Sequence, residues 1–83
     1  MNERELLRET ILEIVENQLR ENNPPATKET LDRLISDGYT NDEARRLIGC
    51  VVTKEVFDVW KTMEPYNEER YVSALRRLPE LPE

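Results

Sequence analysis

The 83-residue chain has no histidine, one cysteine and two glycines, and each scarcity removes a class of chemistry. Without histidine it lacks the commonest general base near neutral pH and the commonest transition-metal ligand. A lone cysteine cannot form an intramolecular disulfide, and Cys50, within the apolar stretch Ile48 to Val52, reads as a small buried hydrophobe rather than a reactive thiol. Gly38 and Gly49 cannot build a phosphate-cradling loop, and no G-x-x-x-x-G-K-[ST], G-x-G-x-x-G or G-x-S-x-G stretch is present. No apolar run approaches the roughly 20 residues of a membrane span, and Met1-Asn2-Glu3-Arg4 lacks the basic, apolar and small-residue order of a secretory leader. The expectation is a cytoplasmic protein with no cofactor and no bound metal.

Cations are also in the minority. Against 18 acidic side chains stand 12 basic ones, and the net charge of -6 opposes both a nucleic-acid backbone and an anionic membrane surface. Neither is expected as a partner. The length suits a single domain over residues 1–83, and a core of this size supplies only about 3–5 kcal/mol. A protein partner or a second copy would add to it. The apolar residues fall in periodic segments rather than being thinly spread, so the chain is expected to fold.

The periodicity predicts an all-α, compact four-helix bundle with helices over about 3–22, 28–37, 41–63 and 68–78 and a tail over 79–83. In the first helix Leu7, Ile11, Ile14, Val15 and Leu19 form one face, with Leu12 at its margin and Glu5, Glu9, Glu13 and Glu16 opposite; Asn23-Pro24-Pro25 stops it. Thr27 reads as the N-cap of a short second helix with a Leu31, Leu34 and Ile35 stripe, and Gly38 as its left-handed C′ residue. Thr40-Asn41-Asp42-Glu43 has the form of a capping box. The third helix is long and expected to be central, with Ala44, Leu47, Ile48, Val51, Val52, Val56, Val59 and Met63 along one wide side. Pro65 ends it. Asn67 is placed to cap the fourth helix, with Tyr66 and Tyr71 as a hydrophobic staple and Tyr71, Val72, Ala74, Leu75 and Leu78 as its apolar face. Cys50-Val51-Val52-Thr53 is β-prone, but the helical pattern on both sides overrules it.

Few positions carry chemistry. Glu9, Glu13 and Glu16 are carboxylates of the type that holds divalent cations, yet they project away from the apolar face, whereas helical carboxylate sites point inward. The second helix, the turn around Gly38 and the third helix resemble a helix-turn-helix in outline, with Arg45 and Arg46 near the start of a recognition helix, but two arginines beside Asp42 and Glu43 make no basic face. Gly49 costs roughly 1 kcal/mol in a helix interior relative to alanine, which implies either a close helix approach or a kink.

Asn17-Gln18-Leu19, Pro24-Pro25, Arg33-Leu34, Gly38-Tyr39, Glu43-Ala44, Pro65-Tyr66, Arg70-Tyr71 and Ala74-Leu75 together resemble an uncharacterised bacterial family of short helical domains. The likeness runs from Ile11 to Pro79. Members occur alone or beside SEC-C-type zinc motifs, so the resemblance implies a fold rather than a reaction. Relatives carry histidines where this chain has Arg8, Leu12 and Arg46, residues that offer no lone pair to a cation. A narrower likeness, over about residues 30–52, is to ubiquitin-associated domains, through Gly38-Tyr39 and Glu43-Ala44.

The expected function is a non-enzymatic module for protein interaction or self-association. The alternatives are a small carboxylate-dependent enzyme, a metal-site relative that has lost its histidines, and a helix-turn-helix-like or ubiquitin-associated-like binder. Phe57 and Trp60 fall off the main stripe of the third helix, and are either an interface or core covered by the first and fourth helices. Gln18 and Glu55 are polar residues on apolar faces. A buried carboxylate must find donors, here expected from Gln18, a tyrosine hydroxyl or an arginine, unless Glu55 lies at the stripe edge and reaches water.

Overall fold

Local stop signals divide the chain into four helices, and the lengths they leave decide what is covered. The computed structural model describes residues 3–82; Met1, Asn2 and Glu83, which bear on the leader reading and the tail, lie outside the described residues. The helices are α1 (Glu3–Glu21), α2 (Pro25–Ser36), α3 (Asn41–Thr62) and α4 (Glu68–Arg77), with no strand among the described residues. They form an all-α four-helix bundle.

α1 ends in a Schellman motif: Asn22 takes a left-handed φ of 51°, and the amides of Asn22 and Asn23 donate to the carbonyls of Leu19 and Gln18 at 3.3 and 3.0 Å. α2 ends the same way, with Gly38 at φ 108° and the amides of Gly38 and Tyr39 donating to Ile35 and Leu34. The box at the start of α3 is complete, since the Thr40 hydroxyl accepts from the Glu43 amide at 3.1 Å and the Glu43 carboxylate accepts from the Thr40 amide at 2.9 Å. Asn67 caps α4 by accepting from the Arg70 amide at 3.0 Å.

The start of α2 corrects the expectation from sequence. Pro24 is the N-cap and Pro25 the first helical residue, so Thr27 lies inside the helix and is wholly buried. A proline suits that first position because its missing amide would have had no helical partner.

α2 and α3 are the inner pair. Each packs against both α1 and α4, whereas the α1 and α4 backbones do not approach one another among the described residues. The core joins Ile11 and Val15 of α1, Leu31 and Leu34 of α2, Ala44, Ile48, Val51 and Val52 of α3, and Tyr71, Leu75 and Leu78 from α4 and its cap. Gly49 serves a close helix approach, because a Cβ there would stand 3.3 Å from the Ile11 Cγ2. Arg33 of α2 ties the far end of α4, donating to the carbonyls of Leu78 at 2.8 Å and Leu75 at 3.2 Å.

Several residues expected in the core are exposed. Leu7, Ile35, Val56, Met63 and Cys50 are all at the surface, and Val59 is half-buried. For Leu7, Val56 and Met63 length is the cause: the 22 residues of α3 extend about 33 Å, against about 18 Å for the 12 of α2 and about 15 Å for the 10 of α4. The last turns of α3 and the first turns of α1 outrun the helices that would cover them.

Candidate functional site

Two regions hold the residues that stood out in the sequence. The first is a cleft of about 310 Å³ between the end of α1, the middle of α3 and the start of α4, bordered by Gln18, Glu55 and Tyr71. Glu55 is 7% exposed. Its carboxylate accepts from Arg70 Nε at 3.0 Å, Arg70 Nη2 at 2.7 Å and the Asn67 amide at 3.2 Å. The Arg70 guanidinium is the main reason its carboxyl lies below the ordinary carboxylate value; the Asn67 amide adds to this and burial opposes it.

Neither Gln18 nor a tyrosine hydroxyl supplies the donor, which corrects two of the three expected partners. Gln18 belongs to a neighbouring cluster, where its Oε1 accepts from the Tyr71 hydroxyl at 2.7 Å and the Thr27 hydroxyl at 2.8 Å. Burial pushes the Tyr71 phenol up to about 12, with the Thr27 and Gln18 hydrogen bonds opposing the shift. This cluster joins α1, α2 and α4 at a single oxygen. The arginine expected for Glu55 is Arg70, whereas Thr27 and Arg33 are polar anchors that the sequence does not mark. Thr27 was obscured by its role as a supposed cap, and Arg70 lies 15 residues from Glu55, beyond any local pattern.

These arrangements favour structure over chemistry. A general acid needs a raised carboxyl pKa, whereas Glu55 is held charged with both oxygens engaged. Tyr71 is neutral near pH 7 and hydrogen-bonded. Glu9 and Glu13 are exposed, and Glu16 pairs with Arg45 across α1 and α3. Arg45 is thereby turned into the fold, while Arg46 is exposed. Among the described residues no group of three or more His, Cys, Asp or Glu is placed to hold a metal ion, and no helix is long and apolar enough to cross a membrane.

The second region is the outer face of α3. Phe57 and Trp60 are 54% and 72% exposed, so neither α1 nor α4 covers them, and their rings contact one another with centroids 6.0 Å apart. Further along the same side toward α1 lies a groove of about 490 Å³ between α1 and α3. Leu7, Ile11, Leu12 and Cys50 contribute its apolar walls, and Arg4, Arg8 and Arg46 also line it. Arg8, Leu12 and Arg46 therefore share one groove, to which Arg4, Arg8 and Arg46 bring three cationic side chains. No known family, no curated protein and no solved structure matches this chain.

Proposed function

We propose that the chain is a non-enzymatic protein-interaction module whose contact surface is the outer face of α3. The observation that carries this reading is the exposure of Phe57 and Trp60, accompanied by Val56 at 51% and Met63 at 85%. Each 100 Å² of apolar surface left in water forgoes about 2.5 kcal/mol of burial. Aromatic and methionine side chains on one exposed face are the composition of a contact site rather than of ordinary surface. The titratable groups support the same reading from the other side, since Glu55 and Tyr71 are occupied in holding helices together.

The test is the particle size of the protein in extracts of the cells that naturally express it. The unaltered chain is expected in a particle larger than its own 9.9 kDa, and Phe57→Ser/Trp60→Ser is expected as a folded monomer. A wild-type chain that migrates as a monomer, or a larger particle indifferent to both substitutions, would contradict the reading.

A further inference from the structure

Resting on the reading of the chain as an interaction module, we infer that the α1–α3 groove takes a helix of a partner protein, apolar on its inner face and acidic along its edges. Charge carries the argument. Arg4, Arg8 and Arg46 line this groove and no carboxylate does, in a chain whose net charge is -6. The cleft beside Tyr71 is bordered by Glu55 and Glu68, and the hollow between α3 and α4 sets Glu55 and Asp58 beside its cations. All three groove arginines are exposed, and none forms an ion pair among the described residues, where the paired cations are Arg33, Arg45, Lys54 and Arg70. Glu43, which Arg46 influences, is held chiefly by the Thr40 amide, which donates to it at 2.9 Å in the α3 cap. Arg4 and Arg8 stand one turn apart on α1, a spacing at which like charges repel. An acidic partner relieves that repulsion.

The shape of the groove fits a helix. α1 and α3 run antiparallel here, because Glu16 pairs with Arg45 while Ile11 lies against Gly49. Leu12 and Arg46 thus mark one end of the groove and Arg4 and Thr53 the other, a length of about 10–12 Å along either helix, or two turns. Between them stand Leu7, 56% exposed, and Cys50, also exposed, over buried Ile11 and Gly49. Apolar ground of that length with cations at both ends matches an apolar helix stripe flanked by carboxylates. Other modes of recognition find no footing. Among the described residues no strand offers an edge to an extended peptide, and no aromatic side chain lines the groove to hold a proline-rich one. Three arginines are too few to hold a nucleic-acid backbone against the net charge.

The groove also runs into the contact surface described above. Arg46, Cys50 and Thr53 line it, and Phe57 and Trp60 continue the same row at alternating steps of four and three residues. A partner helix that extends past Thr53 therefore meets the two rings. Burial of Leu7 and the rings supplies the attraction, and the arginines select an acidic partner over a basic one.

Fluorescence anisotropy with the whole chain is the test, using a fluorescein-labelled helical peptide of about 14 residues with leucines on one face and glutamates flanking them. A second peptide carries lysine in place of every glutamate. The acidic peptide is expected to bind about tenfold more tightly than the basic one, and more weakly as salt is raised. Arg8→Glu and Arg46→Glu are each expected to raise its Kd about fivefold, and Arg76→Glu, the same charge change at an exposed site on α4, to leave it within about twofold. Circular dichroism confirms that each variant is folded. No binding of the acidic peptide up to millimolar chain, equal binding of both peptides, or equal weakening by all three substitutions overturns the inference. So does its displacement by decanoate or a short DNA duplex at lower concentration than by unlabelled acidic peptide, which would assign the groove to a small amphiphile or a nucleic acid. Phe57→Ser/Trp60→Ser in native extracts tests the contact surface separately, so a particle that responds to that pair while the groove ignores the acidic peptide defeats only the acidic helix.

Discussion

Glu55 and Trp60 stand five residues apart on α3 and reverse the usual order of burial: the carboxylate is 7% exposed and the indole 72%. What separates them is the partners within reach. Glu55 faces the cap of α4, where Arg70 and the Asn67 amide replace the water it loses, so a charge is held inside at little net penalty. Trp60 faces outward on a helix longer than its neighbours, and no element of the described chain reaches over it. The inner face of α3 is thus satisfied within one chain and the outer face is not. Substitutions on the two faces should accordingly change different observables.

The largest expected effect lies on the inner face. Tyr71 is 1% exposed and its hydroxyl donates to Gln18 at 2.7 Å, so Tyr71→Ala is expected to lower unfolding free energy by about 3–5 kcal/mol in urea titrations. Tyr71→Phe removes the hydroxyl alone, and a loss of about 1 kcal/mol separates the hydrogen bond from the packing. The same residue has an alkaline signature. Its folded-state value of about 12 exceeds that of a free phenol near 10, so its contribution is complete below pH 10 and is lost as pH rises through about 12. Urea midpoints measured against alkaline pH should fall less steeply in Tyr71→Phe.

Next in size is Glu55→Leu, which removes the carboxylate that pairs with Arg70 and accepts from the Asn67 amide. Because the Arg70 side chain is 41% exposed and can regain water, the expected loss is about 1–2 kcal/mol rather than that of a fully buried pair. The folded-state pKa of Glu55 is lowered, so its stabilisation is present above its unfolded value of about 4.5 and is lost as pH falls through the folded value. Glu43 and Asp58 are lowered as well and share the acid loss. Glu55→Gln is therefore expected to lessen the decline in urea midpoint below about pH 4.5 without abolishing it.

The smallest effect is expected on the outer face. At concentrations where the chain is monomeric, Phe57→Ser/Trp60→Ser should change unfolding free energy by no more than about 1 kcal/mol, because both rings are more than half exposed. A much larger loss would mean that the outer face also stabilises the monomer, and the contrast between the two faces would collapse.

The legible parts of this structure are those written within a few residues of one another. The Thr40–Glu43 box, the Asn67 cap, the left-handed Gly38 and the Tyr66–Tyr71 contact, with ring centroids 6.0 Å apart, all follow from local spacing. The core half of each apolar stripe follows from the helical period, as Ile11, Val15, Leu34 and Ile48 illustrate. Periodicity identifies a face but not how far a neighbour extends along it, and so Leu7, Val56 and Met63 carry the pattern of a core they do not enter, while Cys50, off that face, is exposed despite its apolar neighbours in sequence. The polar anchors were hidden by distance along the chain: Arg70 meets Glu55 across 15 residues, and Tyr71 meets Gln18 across 53. Phe57 and Trp60 could be marked as unusual, but whether other helices covered them depended on helix lengths that pattern alone does not set.

Trp60 is the chain's one tryptophan, so its emission reads the outer face of α3 without any label. The most direct measurement is that emission, with acrylamide quenching, from the dilute folded monomer. The account predicts a red, fully quenchable indole, as expected of a Trp60 that no helix of its own chain covers. Blue emission protected from acrylamide in the dilute monomer would contradict it.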